Sequence, residues 1–280
     1  MTRHSFGGDW TRVKLDTLEK YLDIYTTAMK NQKFNFHYVD AFAGTGQRDG
    51  EDDPTHSLIK EIETLKGSAT RALECKKPFD HYHFNDTNPH HVKALRELAA
   101  QHPDKKVNVT QEDANVFVQH FCRDMRPMDR AIVFLDPYSS ELEWSTLKAI
   151  RNTEKVDLWL LFPISTLLRI TPRNGPRDEW GSAIERMLGT SDWRELYEEQ
   201  PLTMDLFGEH REEVRRQDYK KVVDFVTTHL RRLFPFVDDP FHLDQRGRLL
   251  FLLYFGVSNS SPAAQGLARN LSAAIRKSLK

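Results

Sequence analysis

A chain of 280 residues is long enough for one large domain or two small ones, and its 39% hydrophobic and 11% aromatic content excludes a disordered chain. Forty Lys plus Arg against forty-one Asp plus Glu leave a formal charge of −1, so no overall basic field draws it to nucleic acid or anionic membrane, and any polyanion contact must come from a local patch. The longest apolar run, Leu249 to Val257, is far short of the roughly 20 residues of a membrane helix. Two cysteines, Cys75 and Cys122, exclude a multi-disulfide framework and all-cysteine metal sites. The polar start MTRHSFGGDW lacks the apolar core of a secretion signal, so a soluble protein in a reducing, cytoplasmic setting is expected.

From Trp10 to about Lys30, Leu15, Leu18, Leu22, Tyr25 and Met29 keep the three-and-four spacing of an amphipathic helix that packs on a later sheet. Phe36 to Phe42 reads as a strand stopped by Gly44-Thr45-Gly46. Gln47 to Thr55 is polar and turn-rich, an exposed loop, and Thr64 to Lys77 a second helix. Strands are then expected at Tyr82–Asn85, Val107–Gln111, Ala131–Leu135 and Asp157–Phe162, alternating with helices at Pro89–Gln101, Ala114–Cys122 and Trp144–Ile150. That alternation predicts βαβ units and a mostly parallel sheet with helices on both faces.

After Pro163 the rhythm breaks. Arg169 to Pro176 is basic and turn-forming, and Glu209 to Leu233 reads as a long charged helix. Phe236–Leu243 and Leu249–Val257, joined by Asp244-Gln245-Arg246-Gly247, read as a hairpin whose second arm is buried on both faces. Ala263 to Leu279 closes the chain as a helix. The expected organisation is a single α/β domain, with an N-terminal helix over 10–30, core at 34–162 and 236–280, and a mainly helical insertion at 163–235.

Four strand ends carry the chemistry. Asp40 to Gly46 runs from a strand into a glycine turn, where the backbone can approach a ligand closely. A dinucleotide fingerprint would place a third glycine where Asp49 stands, so the turn suits a nucleoside without phosphate. Its plain alternative is a structural turn. Asp86, in Phe84-Asn85-Asp86-Thr87-Asn88-Pro89, can accept from two ribose hydroxyls or serve as a turn residue. In Gln111-Glu112-Asp113-Ala114, Asp113 can accept from an adenine amino group or cap the following helix. In Val133-Phe134-Leu135-Asp136-Pro137-Tyr138, the carboxylate and a neighbouring carbonyl can take the two hydrogens of an exocyclic amine while the tyrosine stacks on its ring. A strand-end turn over a packed tyrosine is the alternative there.

Asp40 to Gly46 together with Asp136-Pro137-Tyr138 resembles the class I S-adenosylmethionine-dependent methyltransferases, especially the amino-methylating branch with D-x-F-x-G-x-G and D-P-P-[YF] motifs. From about residue 10 to 275 the chain more closely resembles the three-Cys-motif partner (TcmP) family. That likeness lies in Lys14-Leu15, Tyr21, YVDAFAGTG, Gly67-Ser68 to Ala72-Leu73, FNDTNP, FLDPYS and LLYFGVSN. It implies a Rossmann-like fold with a mostly parallel seven-stranded sheet and an antiparallel last strand, and S-adenosyl-L-methionine as cofactor. Cofactor contacts are implied for Asp40, Phe42, Ala43, Gly44, Gly46, Asp86, Asp113 and Ala114, with Lys14 and Tyr21 from the first helix. Asp136, Pro137 and Tyr138 are the implied catalytic group, acting on a nitrogen of a nucleobase or nucleic acid. The family name further implies a three-Cys-motif companion protein, and the alternative function is that of a non-catalytic, methyltransferase-fold partner of that companion. One proline of D-P-P-Y is missing here, and the long interval between Asp40 and Asp86 makes 47–60 an insertion near the cofactor mouth.

His81, His83, His90 and His91 lack a completing Asp, Glu or Cys, so no metal is expected. Two basic stretches are candidate nucleic-acid surfaces: Arg169, Arg173 and Arg177, and a helix face from Arg211 through Arg215, Arg216 and Lys220 to Lys221. The latter also reads as a solvated, salt-bridged face.

Overall fold

The computed structural model describes residues 9–43, 67–137, 139–199, 203–204, 210–211, 214–245 and 247–278. Helix α1 (Asp9–Ala28) precedes β1 (Asn35–Asp40), and a helical segment at 67–73 (α2) leads to β2 (His81–Asn85). Then follow α3 (Pro89–Ala100), β3 (Val107–Thr110), α4 (Ala114–Asp124), β4 (Asp129–Leu135), α5 (Trp144–Thr153) and β5 (Val156–Phe162). Helices α6 (Ile164–Ile170) and α7 (Asp178–Leu188) and a 3-10 turn (Asp192–Leu196) come next, before short strands β6 (Tyr197–Glu199), β7 (Thr203–Met204), β8 (His210–Arg211) and β9 (Val214–Arg216). Helix α8 (Tyr219–Leu233), β10 (Phe236–Val237), β11 (Phe241–Gln245), β12 (Arg248–Val257) and α9 (Pro262–Ser278) complete the described chain.

The main sheet has the order β3-β2-β1-β4-β5-β12, with β10 and β11 both pairing with β12. The first five strands are mutually parallel, and β12 runs antiparallel to β5. Because β10 and β11 are each antiparallel to β12, they point the same way as the rest, and β12 is the reversed strand. Eight segments thus fill seven strand positions. The single strand expected over Phe236–Leu243 is split at Asp238-Asp239-Pro240, where the proline has no N–H to give a ladder. Asp238 turns its carboxylate to Arg276, accepting from Nε at 2.9 Å and Nη2 at 2.8 Å.

Alternation along the strands builds two cores. On β4, Ala131, Val133 and Leu135 pack with α4, α5 and the helices of the insertion, whereas Ile132 and Phe134 pack with α1, α2, α3 and α9. Helices on both faces explain why β4 and β5 are continuous apolar runs. Each fully buried Leu, Ile or Phe there stabilises the fold by roughly 1.5–3 kcal/mol. One backbone position locks α7 against α5: Gly189 caps α7 with φ +68°, and a Cβ there would collide with the Trp144 ring. Helix α1 crosses its face against the strand direction, with Lys14 reaching Asp136 beyond the end of β4 and Tyr21 reaching Asp157 near the start of β5.

The insertion differs from its expected form. The long helix is confined to α8, and Arg211, Arg215 and Arg216 belong to strands β8 and β9. The reason is packing: the buried stripe of α8 is Val222, Val223, Val226 and Leu230, and no apolar stripe extends upstream of it to hold a helix. Strands β6 and β9, and β7 and β8, form two small antiparallel ribbons. Ile164, Leu167, Ile184, Trp193 and Val226 of the insertion share the core that lies under β4 and β5. No helix among the described residues is long and apolar enough to cross a membrane.

Candidate functional site

Parallel pairing brings the ends of β1, β2, β3 and β4 to one edge of the sheet, where ligands of such folds bind. Asp40, the last residue of β1, is fully buried there. Its Oδ2 accepts from Ser68 Oγ at 2.9 Å, while Oδ1 is buried with no hydrogen-bond partner among the described residues. Burial pushes its carboxyl up from 3.8 to about 7; the Ser68 bond pulls it down, the Asp136 charge pushes it up, Lys14 lowers it and Asp86 raises it. Asp40, Asp86 and Asp136 thus form one electrostatic neighbourhood containing Lys14.

Asp136, just beyond β4, accepts from Lys14 Nζ at 2.6 Å, and the lysine is almost wholly buried. Lys14 therefore stands beside the implied catalytic carboxylate and holds it. Asp86 accepts the Asn88 N–H on Oδ1 at 2.6 Å and has His91 Nδ1 3.3 Å from Oδ2. Asp113 is exposed and caps α4, accepting from the N–H groups of Asn115 and Val116. Its carboxylate serves the helix end. Phe42, Ala43, Ala114 and Pro137 are buried, and the Ala43 N–H donates to the Asn85 carbonyl at 2.9 Å. Gly44, Gly46, Tyr138 and the insertion at 47–60 lie outside the described residues.

Tyr21, implied as a cofactor contact, is placed in the core. Its ring is fully buried against Trp159 and Phe255, and its hydroxyl donates to Asp157 Oδ2 at 2.6 Å, near the amino end of β5. Two turns of α1 carry it away from Lys14 and from the ligand edge. Burial pushes the Asp157 carboxyl up to about 6 against the pull of the Tyr21 bond and Arg130.

The residue that sequence reasoning passed over is Asn85. Fully buried at the end of β2, it donates to the Ala41 and Glu112 carbonyls at 3.2 and 3.0 Å and accepts from Thr110 Oγ1 and the Glu112 N–H at 2.8 and 3.1 Å. One amide therefore ties the ends of β1, β2 and β3 together. Asn115 does the same for α4 and the start of α5, donating to the Glu141 carbonyl and accepting from the Glu143 N–H and Thr146 Oγ1. Only the position of an Asn at a strand end and a helix start marked these two in the sequence. The histidines divide: His81 and His83 join His37, whose Nδ1 lies 3.0 Å from His83 Nε2, while His90 and His91 belong to α3. Burial, then His37 and His81, push His83 down to about 4. No group of three metal-ligating side chains occurs among the described residues.

The strand order, with a single reversed strand, defines a Rossmann-like fold of the class I methyltransferase type. No family model and no curated protein matches the chain. Among solved structures it is similar to Trm1 from Pyrococcus horikoshii in complex with S-adenosyl-L-methionine (13% identity, TM-score 0.47), over 91% of this chain and 57% of Trm1. It is also similar to LPL1258 from Legionella pneumophila (16%, 0.42), over 81% of this chain and 94% of that one. A third is the putative methyltransferase YhhF from Escherichia coli (11%, 0.30), over 71% and 87%.

Proposed function

We propose that the carboxyl edge of the sheet binds S-adenosyl-L-methionine and that the protein transfers a methyl group to a nitrogen, on a nucleobase or nucleic acid. The observation that carries this reading is Asp40 Oδ1, a buried carboxylate oxygen at the strand end without a partner among the described residues. Such an acceptor is costly unless a donor meets it, and the α-ammonium of the cofactor is a donor of the right charge. Asp86, almost buried at the neighbouring strand end, is the acceptor for the ribose hydroxyls. When bound, the cofactor supplies an electrophilic methyl group on a sulfonium.

The acceptor nitrogen falls to Asp136. Lys14 holds one carboxylate oxygen at 2.6 Å, which orients the group before any substrate arrives. The carboxylate then accepts a hydrogen of the exocyclic amine, favours the positive charge that grows on nitrogen as the N–C bond forms, and takes the proton released. Pro137, with no N–H, leaves the neighbouring backbone able only to accept. The test is methyl transfer to unmodified nucleic acid, read as S-adenosylhomocysteine released. Asp136→Ala should abolish turnover while cofactor affinity stays within a few-fold; wild-type turnover in that variant removes Asp136 from catalysis.

A further inference from the structure

The two basic stretches that look like alternatives in sequence meet in the fold. The Arg216 N–H donates to the Arg173 carbonyl at 2.9 Å, joining β9 to the turn three residues beyond α6, a helix that itself starts at the carboxyl end of β5. Arg216 is about nine-tenths buried, 9% exposed, and its Nε has no hydrogen-bond partner among the described residues. Tyr197 lies directly opposite Arg216 in the β6–β9 ribbon, so the two side chains leave the same face. The Tyr197 hydroxyl is likewise buried without a partner among the described residues.

A guanidinium in this position is expensive. Burial pushes Arg216 below its usual value, and the Arg173 charge pushes it the same way, while Tyr197 and Asp218 oppose the fall. Among the described residues neither arginine has a carboxylate in ion-pair contact. Arg216 Nη1 donates to the Gln217 carbonyl at 3.3 Å. Two like charges, one of them buried, with two orphaned donors on one face, make up the donor set of an oxyanion site. Arg173 is exposed, so its guanidinium is the member of the set that a ligand from solvent meets first.

We infer that Arg216, Arg173 and Tyr197 bind a phosphate of the acceptor, which makes the substrate a phosphodiester chain. This rests on the proposed methyl transfer to a nucleobase and adds to it the group that anchors the acceptor. Because the chain is close to neutral overall, binding depends on this patch and weakens with salt.

The experiment is fluorescence anisotropy of a short single-stranded oligonucleotide with the full chain at low salt, competed by inorganic phosphate, with S-adenosyl-L-methionine calorimetry on the same samples. Wild type binds, and phosphate competes. Arg173→Gln, at an exposed position, weakens oligonucleotide binding about tenfold, the loss of a charged hydrogen bond, and leaves cofactor affinity unchanged. Tyr197→Phe weakens it several-fold, and Arg216→Gln at least as much as Arg173→Gln if it folds. Oligonucleotide affinity equal to wild type in Arg173→Gln and Tyr197→Phe overturns the site, as does a wild-type protein that binds cofactor but no oligonucleotide at low salt. A wild type that binds oligonucleotide through these residues but no cofactor overturns the methyl-transfer reading and leaves the anion site standing.

Discussion

Asp40 couples cofactor binding to pH. Its carboxyl lies near 7 rather than 3.8, so at pH 5 nearly every molecule carries a proton there, and at pH 7 about half do. Only the ionised form offers Oδ1 to an ammonium. Affinity for S-adenosyl-L-methionine should therefore rise about ninefold from pH 5 to pH 6 and about fivefold from pH 6 to pH 7, until near pH 8 an α-amino group loses its own proton. The same shift acts on stability with the opposite sense. A carboxyl whose folded value is raised contributes stability that is full below pH 4 and is lost as pH climbs through about 7, a loss of about 4 kcal/mol for a gap of this size. Asp40→Asn keeps an acceptor for Ser68 and removes the charge. It should be more stable than wild type at pH 7 by up to about 4 kcal/mol, bind cofactor about tenfold more weakly, and lose the pH slope. Calorimetry at pH 5, 6 and 7, with thermal unfolding on the same samples, reads all three. A wild-type affinity that is flat from pH 5 to 7, or an Asp40→Asn variant with the same slope, refutes the role of Asp40.

Three further substitutions test the supports of the site. Lys14→Met leaves the Asp136 carboxylate without its buried partner and should cost about 3 kcal/mol in denaturant unfolding, with turnover falling in parallel. Asn85→Ala removes four hydrogen bonds among three strand ends and should cost about 3 kcal/mol while weakening cofactor binding, whereas a stable variant with full affinity would show the tie to be dispensable. Tyr21→Phe strips the donor from Asp157 and should destabilise by about 2 kcal/mol at pH 8 and by less at pH 4, where that carboxyl, raised to about 6, carries its own proton. Cofactor affinity of Tyr21→Phe should match wild type; a tenfold loss would return Tyr21 to the site.

Strands β1 to β5 lie within a residue or two of where apolar runs and their Gly, Pro and Asp stops place them, because strands buried on both faces leave a continuous apolar signature. The same logic brought Asp40, Asp86 and Asp136 to one edge. The sequence misled where charge stood in for packing. Arg211, Arg215 and Arg216 fall at a helical spacing, yet a helix is held by its apolar stripe, which here starts at Val222. Pro240 inside an apparent strand was the legible sign of the break between β10 and β11. Pairings between distant parts of the chain left no local mark. Lys14 finds Asp136 across 122 positions, Tyr21 finds Asp157 across 136, and Asn85 gathers two other strands through one amide. Asp113 could be read as an adenine acceptor or a cap, and only the geometry of Asn115 and Val116 shows its carboxylate at the helix end.

A crystal structure of the protein grown with S-adenosylhomocysteine would show whether the carboxyl edge of the sheet binds the cofactor. Density is expected at the ends of β1 and β2, with the amino nitrogen within hydrogen-bond distance of Asp40 Oδ1, the ribose hydroxyls on Asp86, and the sulfur facing Asp136. Density elsewhere on the chain, or an Asp40 Oδ1 still without a partner in a saturated crystal, would contradict this placement.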